Sequence, residues 1–96
     1  MLKANFITAQ EAAEKIQDGS TLCTIGMTLV SASESILKAI EKRFETVGHP
    51  ADITLVHSCG QSDRKDGIQH LAHEGLVKRI IGSHWGLQPR WMEMIA

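Results

Sequence analysis

Hydrophobic and polar positions change period several times along the chain, and each change marks an element. Thr8 is followed three residues later by Glu11, a capping box, and Ile7 stands where a hydrophobic staple to Ala12 would form. Ala12, Ala13 and Ile16 share one face, which predicts a short amphipathic helix over 9–17 that stops at Asp18-Gly19. Thr21-Leu22-Cys23-Thr24-Ile25 is uncharged and rich in β-formers, so it predicts a buried strand ended by Gly26. Met27 to Ala32 carries neither charge nor period and reads as a loop facing a ligand or another part of the protein. From a cap at Ser33 or Ser35, Ile36, Leu37, Ile40 and Phe44 recur at helical spacing opposite Lys38, Glu41, Lys42 and Glu45. Glu34 and Lys38 are spaced for an i,i+4 ion pair, and Gly48-His49-Pro50 closes this second helix. Ile53-Thr54-Leu55-Val56 predicts the second strand.

Strand, loop, helix, strand is the right-handed crossover that sets two parallel strands side by side. Ligands of such open sheets bind at the carboxyl ends of the strands. Here those ends are Gly26 onward and His57 to Gln61, two loops expected to converge on one edge. Ser58 to Gly67 is a polar, glycine-containing connection. Ile68, Leu71 and Ala72 then predict a short helix that Gly75 ends, and Val77 to Gly82 a third strand. Pro89 fits the first turn of a last helix carrying Trp91, Met92, Met94 and Ile95. The expected fold class is α/β: an open parallel sheet with flanking helices, one domain over 1–96.

Composition narrows the classes. With 43% hydrophobic and 22% charged residues, the chain reads as an ordinary globular protein, neither disordered nor membrane-embedded. Ten basic and eleven acidic residues are interspersed, so no face is basic enough for nucleic acid; Lys42-Arg43 and Lys78-Arg79 read as solvated surface. No apolar run approaches the ~20 residues of a membrane span, and the start has no signal-peptide h-region. Two distant cysteines fit a reduced, cytoplasmic protein, with Cys23 as a small buried hydrophobe.

Three chemistries compete for the polar residues. His70-x-x-His73 puts two imidazoles on one helical face, but Glu74 follows the second histidine, whereas the zinc-protease pattern needs His-Glu-x-x-His. A third ligand would have to come from His57, His84 or Cys59 by an arrangement the sequence does not specify. The expectation is therefore no metal, with histidines that cap or hydrogen-bond. Cys59, beside Gly60 at a strand end, has His57 two residues away without acid–base orientation, and reads as a plain loop cysteine. Gly26 stands alone, without the Gly-x-Gly-x-x-Gly spacing of a dinucleotide site. Gln61 can donate its amide from a strand end into the cleft, where such a donor stabilises charge on a carbonyl oxygen.

The run His70 to Gly86, HLAHEGLVKRIIGSHWG, resembles the N-terminal half of the family I CoA-transferases, most closely the propionate/acetate (short-chain acyl) type. Ile7 to Ala13, Asp18 to Thr21, Gly26 with Glu34, Glu41 to Phe44, Asp52 to Thr54 and Gln61 also fall in family order. Leu29 and Ser33 depart from it, standing where the family usually has glycine and proline. The resemblance implies a truncated N-terminal part of the CoA-transferase (NagB/RpiA-like) fold. It implies covalent catalysis by a glutamate that attacks an acyl-CoA thioester, with CoA a substrate and no cofactor. It assigns substrate and oxyanion binding to Gln61, Gly26, Met27 and Gly60.

No glutamate of this chain resembles the family nucleophile, so no catalytic residue is expected here and the chain alone should be inactive. The implied partners are acyl-CoA, a short-chain carboxylate and the remainder of the enzyme. Self-association is expected from an unshielded sheet edge and an apolar last helix. The other reading left open is a stand-alone α/β binding or interaction module.

Overall fold

The computed structural model describes residues 4–26, 33–57, 65–83 and 88–96. Helix α1 (Ala9–Glu14) starts at the predicted capping box: the Glu11 N–H donates to Thr8 Oγ1 at 3.1 Å, and the Thr8 N–H returns to Glu11 Oε1 at 3.3 Å. Strand β1 (Thr21–Thr24) follows, then α2 (Glu34–Val47), which Gly48 closes in the left-handed conformation. Strand β2 (Ile53–His57), a 3-10 turn (Ile68–Leu71), β3 (Val77–Ile81) and α3 (Pro89–Ile95) complete the order. The predicted helix over 9–17 ends earlier, at Glu14, and the helix expected at Ile68 is a single tight turn.

The three strands form one sheet in the order β1-β2-β3, all parallel. Thr21 pairs with Thr54 and Thr24 with His57, so β1 and β2 end side by side as the crossover pattern predicts. A register shift between Ile53 and Thr54 brings Arg79 opposite Thr54.

One core holds the layers together. Ile53 and Leu55 of β2 and Val77 of β3 pack with Leu37 and Ile40 of α2, Ala13 of α1, Ile68 and Leu71 of the 3-10 turn, and Trp91 of α3. Each large apolar side chain buried this way contributes roughly 1.5–3 kcal/mol. The α2 stripe is narrower than its apolar spacing suggests: Leu37 and Ile40 are buried, Phe44 half-buried, and Ile36 lies at the margin with 37% exposure.

Only one face of the sheet is covered among the described residues. Ile53, Leu55 and His57 are buried, whereas Thr54 and Val56 between them are partly open. Cys23 corrects the sequence reading, since it is exposed rather than buried. Its place in the alternation of β1 puts it on the uncovered side, beside Val56 in register. The uncharged run of β1 signals burial only when helices flank both faces. No helix of the described residues is long and apolar enough to cross a membrane.

Candidate functional site

The carboxyl edge of the sheet is where the crossover argument puts a ligand, and its chemistry begins with Thr24, Gly26 and His57. Gly26 follows β1 with φ of 141°, a conformation that side-chain-bearing residues rarely adopt, so the chain leaves the strand along a path that only glycine takes without strain. His57 ends β2 and is 5% exposed. The Nε2 end of its imidazole lies against Gly82, just beyond β3: a Cβ built on Gly82 would come within 2.2 Å of His57 Nε2. The absence of a side chain at Gly82 is what leaves room for the ring. Of the sequence-nominated binding residues, Gly26 is at this edge, while Gln61, Gly60 and Met27 lie outside the described residues, as do Cys59 and His84.

A polar network that the sequence reading did not foresee joins α2 to the later segments. Glu41, assigned by periodicity to the solvent face, turns inward. Its Oε1 lies 3.0 Å from His70 Nδ1 and its Oε2 lies 2.6 Å from His73 Nε2. Arg90 of α3 adds a contact to Glu41 Oε2 at 3.5 Å and donates to the Ala72 carbonyl at 3.2 Å. Burial by itself pushes the Glu41 carboxyl up, but hydrogen bonds from His73 and His70, with their charge, outweigh it and hold the group below its ordinary value. An ionised Glu41 accepts only, so His70 Nδ1 and His73 Nε2 each carry a proton toward it.

Glu34, seven residues earlier and two turns away on α2, faces the other side of the His70 ring. Its Oε1 stands 2.5 Å from His70 Nε2, and Asp66 Oδ1 stands 3.6 Å from the same nitrogen. The Gly67 N–H donates to the Glu34 carboxylate at 3.3 Å. In place of the predicted Glu34–Lys38 pair, the Glu34 carboxylate is turned toward the Gly67 N–H and the His70 ring. The pair His70 and His73 was legible as two imidazoles three residues apart. The seven-residue spacing of Glu34 and Glu41 was the unread signal that a carboxylate-bearing stripe faces them.

The amino edge of the sheet has its own tie. The Ala51 N–H donates to Asp18 Oδ1 at 2.9 Å and His49 Nδ1 lies 3.0 Å from Asp18 Oδ2. These two contacts hold the Asp18 carboxyl below its ordinary value. A groove of about 460 Å³ between α1 and α2 is lined by Gln10, Glu14, Lys38, Lys42 and Arg43 and contains none of the nominated residues.

No family profile matches the chain. Among curated proteins it is similar to caffeate CoA-transferase of Acetobacterium woodii, 39% identical over 84 residues, which are 86% of this chain and 16% of that enzyme. It is also similar to acetate CoA-transferase YdiF of Escherichia coli K12, 34% identical over 90 residues, or 92% of this chain and 17% of the relative. In structure it matches the crystal structure of the YdiF apoenzyme from Escherichia coli O157:H7 with a TM-score of 0.82 and 33% identity. That match takes in 92% of this chain and 18% of the YdiF chain. In sequence and in fold, the chain matches a segment of the CoA-transferases.

The resemblance read from the His70 to Gly86 run is thereby borne out, as is the parallel sheet with flanking helices. A YdiF crystal form holding a thioester complex with CoA matches equally well, with a TM-score of 0.82 and 32% identity over 93% of this chain. The chain spans less than a fifth of the length of the relatives it matches.

Proposed function

We propose that this segment forms part of the substrate cleft of an acyl-CoA:carboxylate CoA-transferase, one that moves CoA between short-chain acids through a glutamyl-CoA thioester. The observation carrying this reading is the side-by-side ending of β1 and β2, Thr24 opposite His57, in a chain that aligns with CoA-transferases over most of its length. In this reading Gly26, Met27, Gly60 and Gln61 line the crevice beyond those two ends. The Gln61 amide donates to the thioester oxygen as negative charge develops there. The attacking carboxylate comes from outside these 96 residues, CoA enters as substrate, no redox or metal cofactor takes part in the transfer, and the compartment is the cytoplasm.

The chemistry asks for such a division of labour. A carboxylate attacking a thioester makes an oxyanion, and amide donors already in place at the strand ends stabilise it without reorganising. Glu11, Glu14, Glu45, Glu74 and Glu93 are exposed, and Glu34 and Glu41 face His70 and His73. None is presented as a free nucleophile above the strand ends.

The test has two arms. Purified chain, given acetyl-CoA and labelled propionate, should show no exchange above background. The same 96 residues replacing their counterpart in YdiF should support acetate exchange, and Gln61→Ala in that chimera should lower kcat by about 10²–10³-fold with the melting temperature unchanged. A folded chimera that exchanges no CoA, or turnover by the chain alone, would overturn the assignment.

A further inference from the structure

The side chains of Glu34, Asp66 and His70 each offer one ligand atom, and these atoms all lie within 4.8 Å of one another. They come from two places: the first turn of α2, and the segment leading into the 3-10 turn. Because α2 returns from the carboxyl edge of the sheet toward its amino edge, its first turn places the group on the carboxyl side.

His70 is 8% exposed, and its Nε2 has no hydrogen-bond partner among the described residues. Glu34 Oε1 is 2.5 Å away and Asp66 Oδ1 3.6 Å, and neither makes a hydrogen bond with it. With Nδ1 engaged by Glu41, Nε2 is the ring atom left facing the Glu34 and Asp66 carboxylates. Lone pairs brought this close repel unless a positive charge sits between them.

We infer that Glu34, Asp66 and His70 bind a divalent cation of the zinc or manganese class, with Glu41 as the carboxylate that orients the histidine. One imidazole nitrogen with two carboxylate oxygens is a donor set that suits these ions. Ligand atoms around such an ion, each about 2.1 Å from it, stand roughly 3–3.5 Å apart. The His70–Asp66 separation is near that value, and Glu34, whose side chain is 30% exposed, has room to withdraw by the remaining fraction of an ångström.

The histidine–carboxylate relay behind the ligand is the usual support of a metal-bound imidazole, fixing its tautomer and ring plane. Here that support is itself braced, since His73 and Arg90 hold the second oxygen of Glu41. The site is independent of the CoA-transfer reading and gives the ion a place in the architecture, tying α2 to the 3-10 turn.

The experiment titrates ZnCl₂, and separately MnCl₂, into chelator-stripped chain at pH 7.5, followed by calorimetry and by nitrogen NMR of the histidine rings. Saturable binding of one ion per chain is expected, with the His70 Nε2 resonance displaced at saturation. Glu34→Gln and Asp66→Asn, each isosteric, should weaken binding at least tenfold, and Glu41→Gln by about 10–100-fold. Absence of saturable binding by either ion, or binding that displaces other histidines while His70 stays unmoved, would mean that a proton alone separates these groups and would overturn the inference. The NMR arm uses the unsubstituted chain, so it decides the matter even where a variant folds poorly.

Discussion

The histidines show how much a single position depends on what lies opposite it. His57 is buried because Gly82 leaves room for its ring, and that dependence is testable. Gly82→Ala forces a methyl group into a buried imidazole, so it should destabilise by about 1–3 kcal/mol in denaturant titrations. His57→Ala removes the obstacle, and the double variant should be less destabilised than the two single changes together predict; additive effects would show that the ring moves aside freely. Glu41 gives a second prediction at this scale. Glu41→Gln keeps one acceptor oxygen but removes the charge and sets an NH2 donor against either His70 or the His73–Arg90 pair, so it should cost about 1–3 kcal/mol at neutral pH. A carboxyl held below its ordinary 4.5 stabilises the fold above that pH and loses its contribution as the pH falls through the depressed value. The wild-type chain should therefore lose stability on acidification below about pH 4.5 more steeply than Glu41→Gln does, and parallel curves would refute the assignment. The inward turn of Glu41 was not legible, because periodicity distinguishes apolar from polar positions and cannot tell a solvated carboxylate from one facing an imidazole.

Among the elements, local chemistry was the readable part. The Thr8–Glu11 box, the glycine stop after β1, the Gly48 cap and Pro89 in the first turn of α3 are encoded within a few residues, and each marks a real boundary. What periodicity misjudged depends on partners distant in sequence. The helix expected at Ile68 is one 3-10 turn because its polar groups serve α3: Gln69 Oε1 accepts the Arg90 N–H at 3.1 Å, and the Ile68 carbonyl accepts Trp91 Nε1–H at 3.1 Å. Such a turn docks a helix end rather than continuing one, and it satisfies an amide that the first turn of α3 cannot pair internally. Trp91→Phe keeps most of the apolar surface and deletes the bond to Ile68, so it should cost about 1–3 kcal/mol and loosen α3 first. Hydrogen exchange should report that loosening as faster exchange in α3 with β2 unchanged; uniform acceleration across the sheet would show that α3 is not a separate unit.

At the scale of the whole molecule, the parallel pairing of β1 and β2 was readable from strand, loop, helix and strand, since a crossover of that length admits little else. Which faces are covered was not readable, because the same uncharged strand suits a sheet flanked on one side or on both. The described residues leave one face of the sheet open, with Cys23 and Val56 in register on it, and both β1 and β3 are edges. Exposed edges pair and open apolar faces seek cover, so the isolated chain should self-associate as its concentration rises. Sedimentation velocity in reductant, which prevents exposed Cys23 from cross-linking copies, is the measurement to make. Val56→Lys places a charge in the middle of the open face without touching Leu37, Ile40 or Leu55 on the other, so it should shift the distribution toward monomer while the melting temperature stays within a few degrees. If the unsubstituted chain remains monomeric at high concentration, the open face is stable in water as it stands and needs no covering layer. If Val56→Lys leaves association intact, the contact runs through the strand edges instead, and a lysine on outward-facing Ile81 of β3 becomes the substitution that should dissolve it.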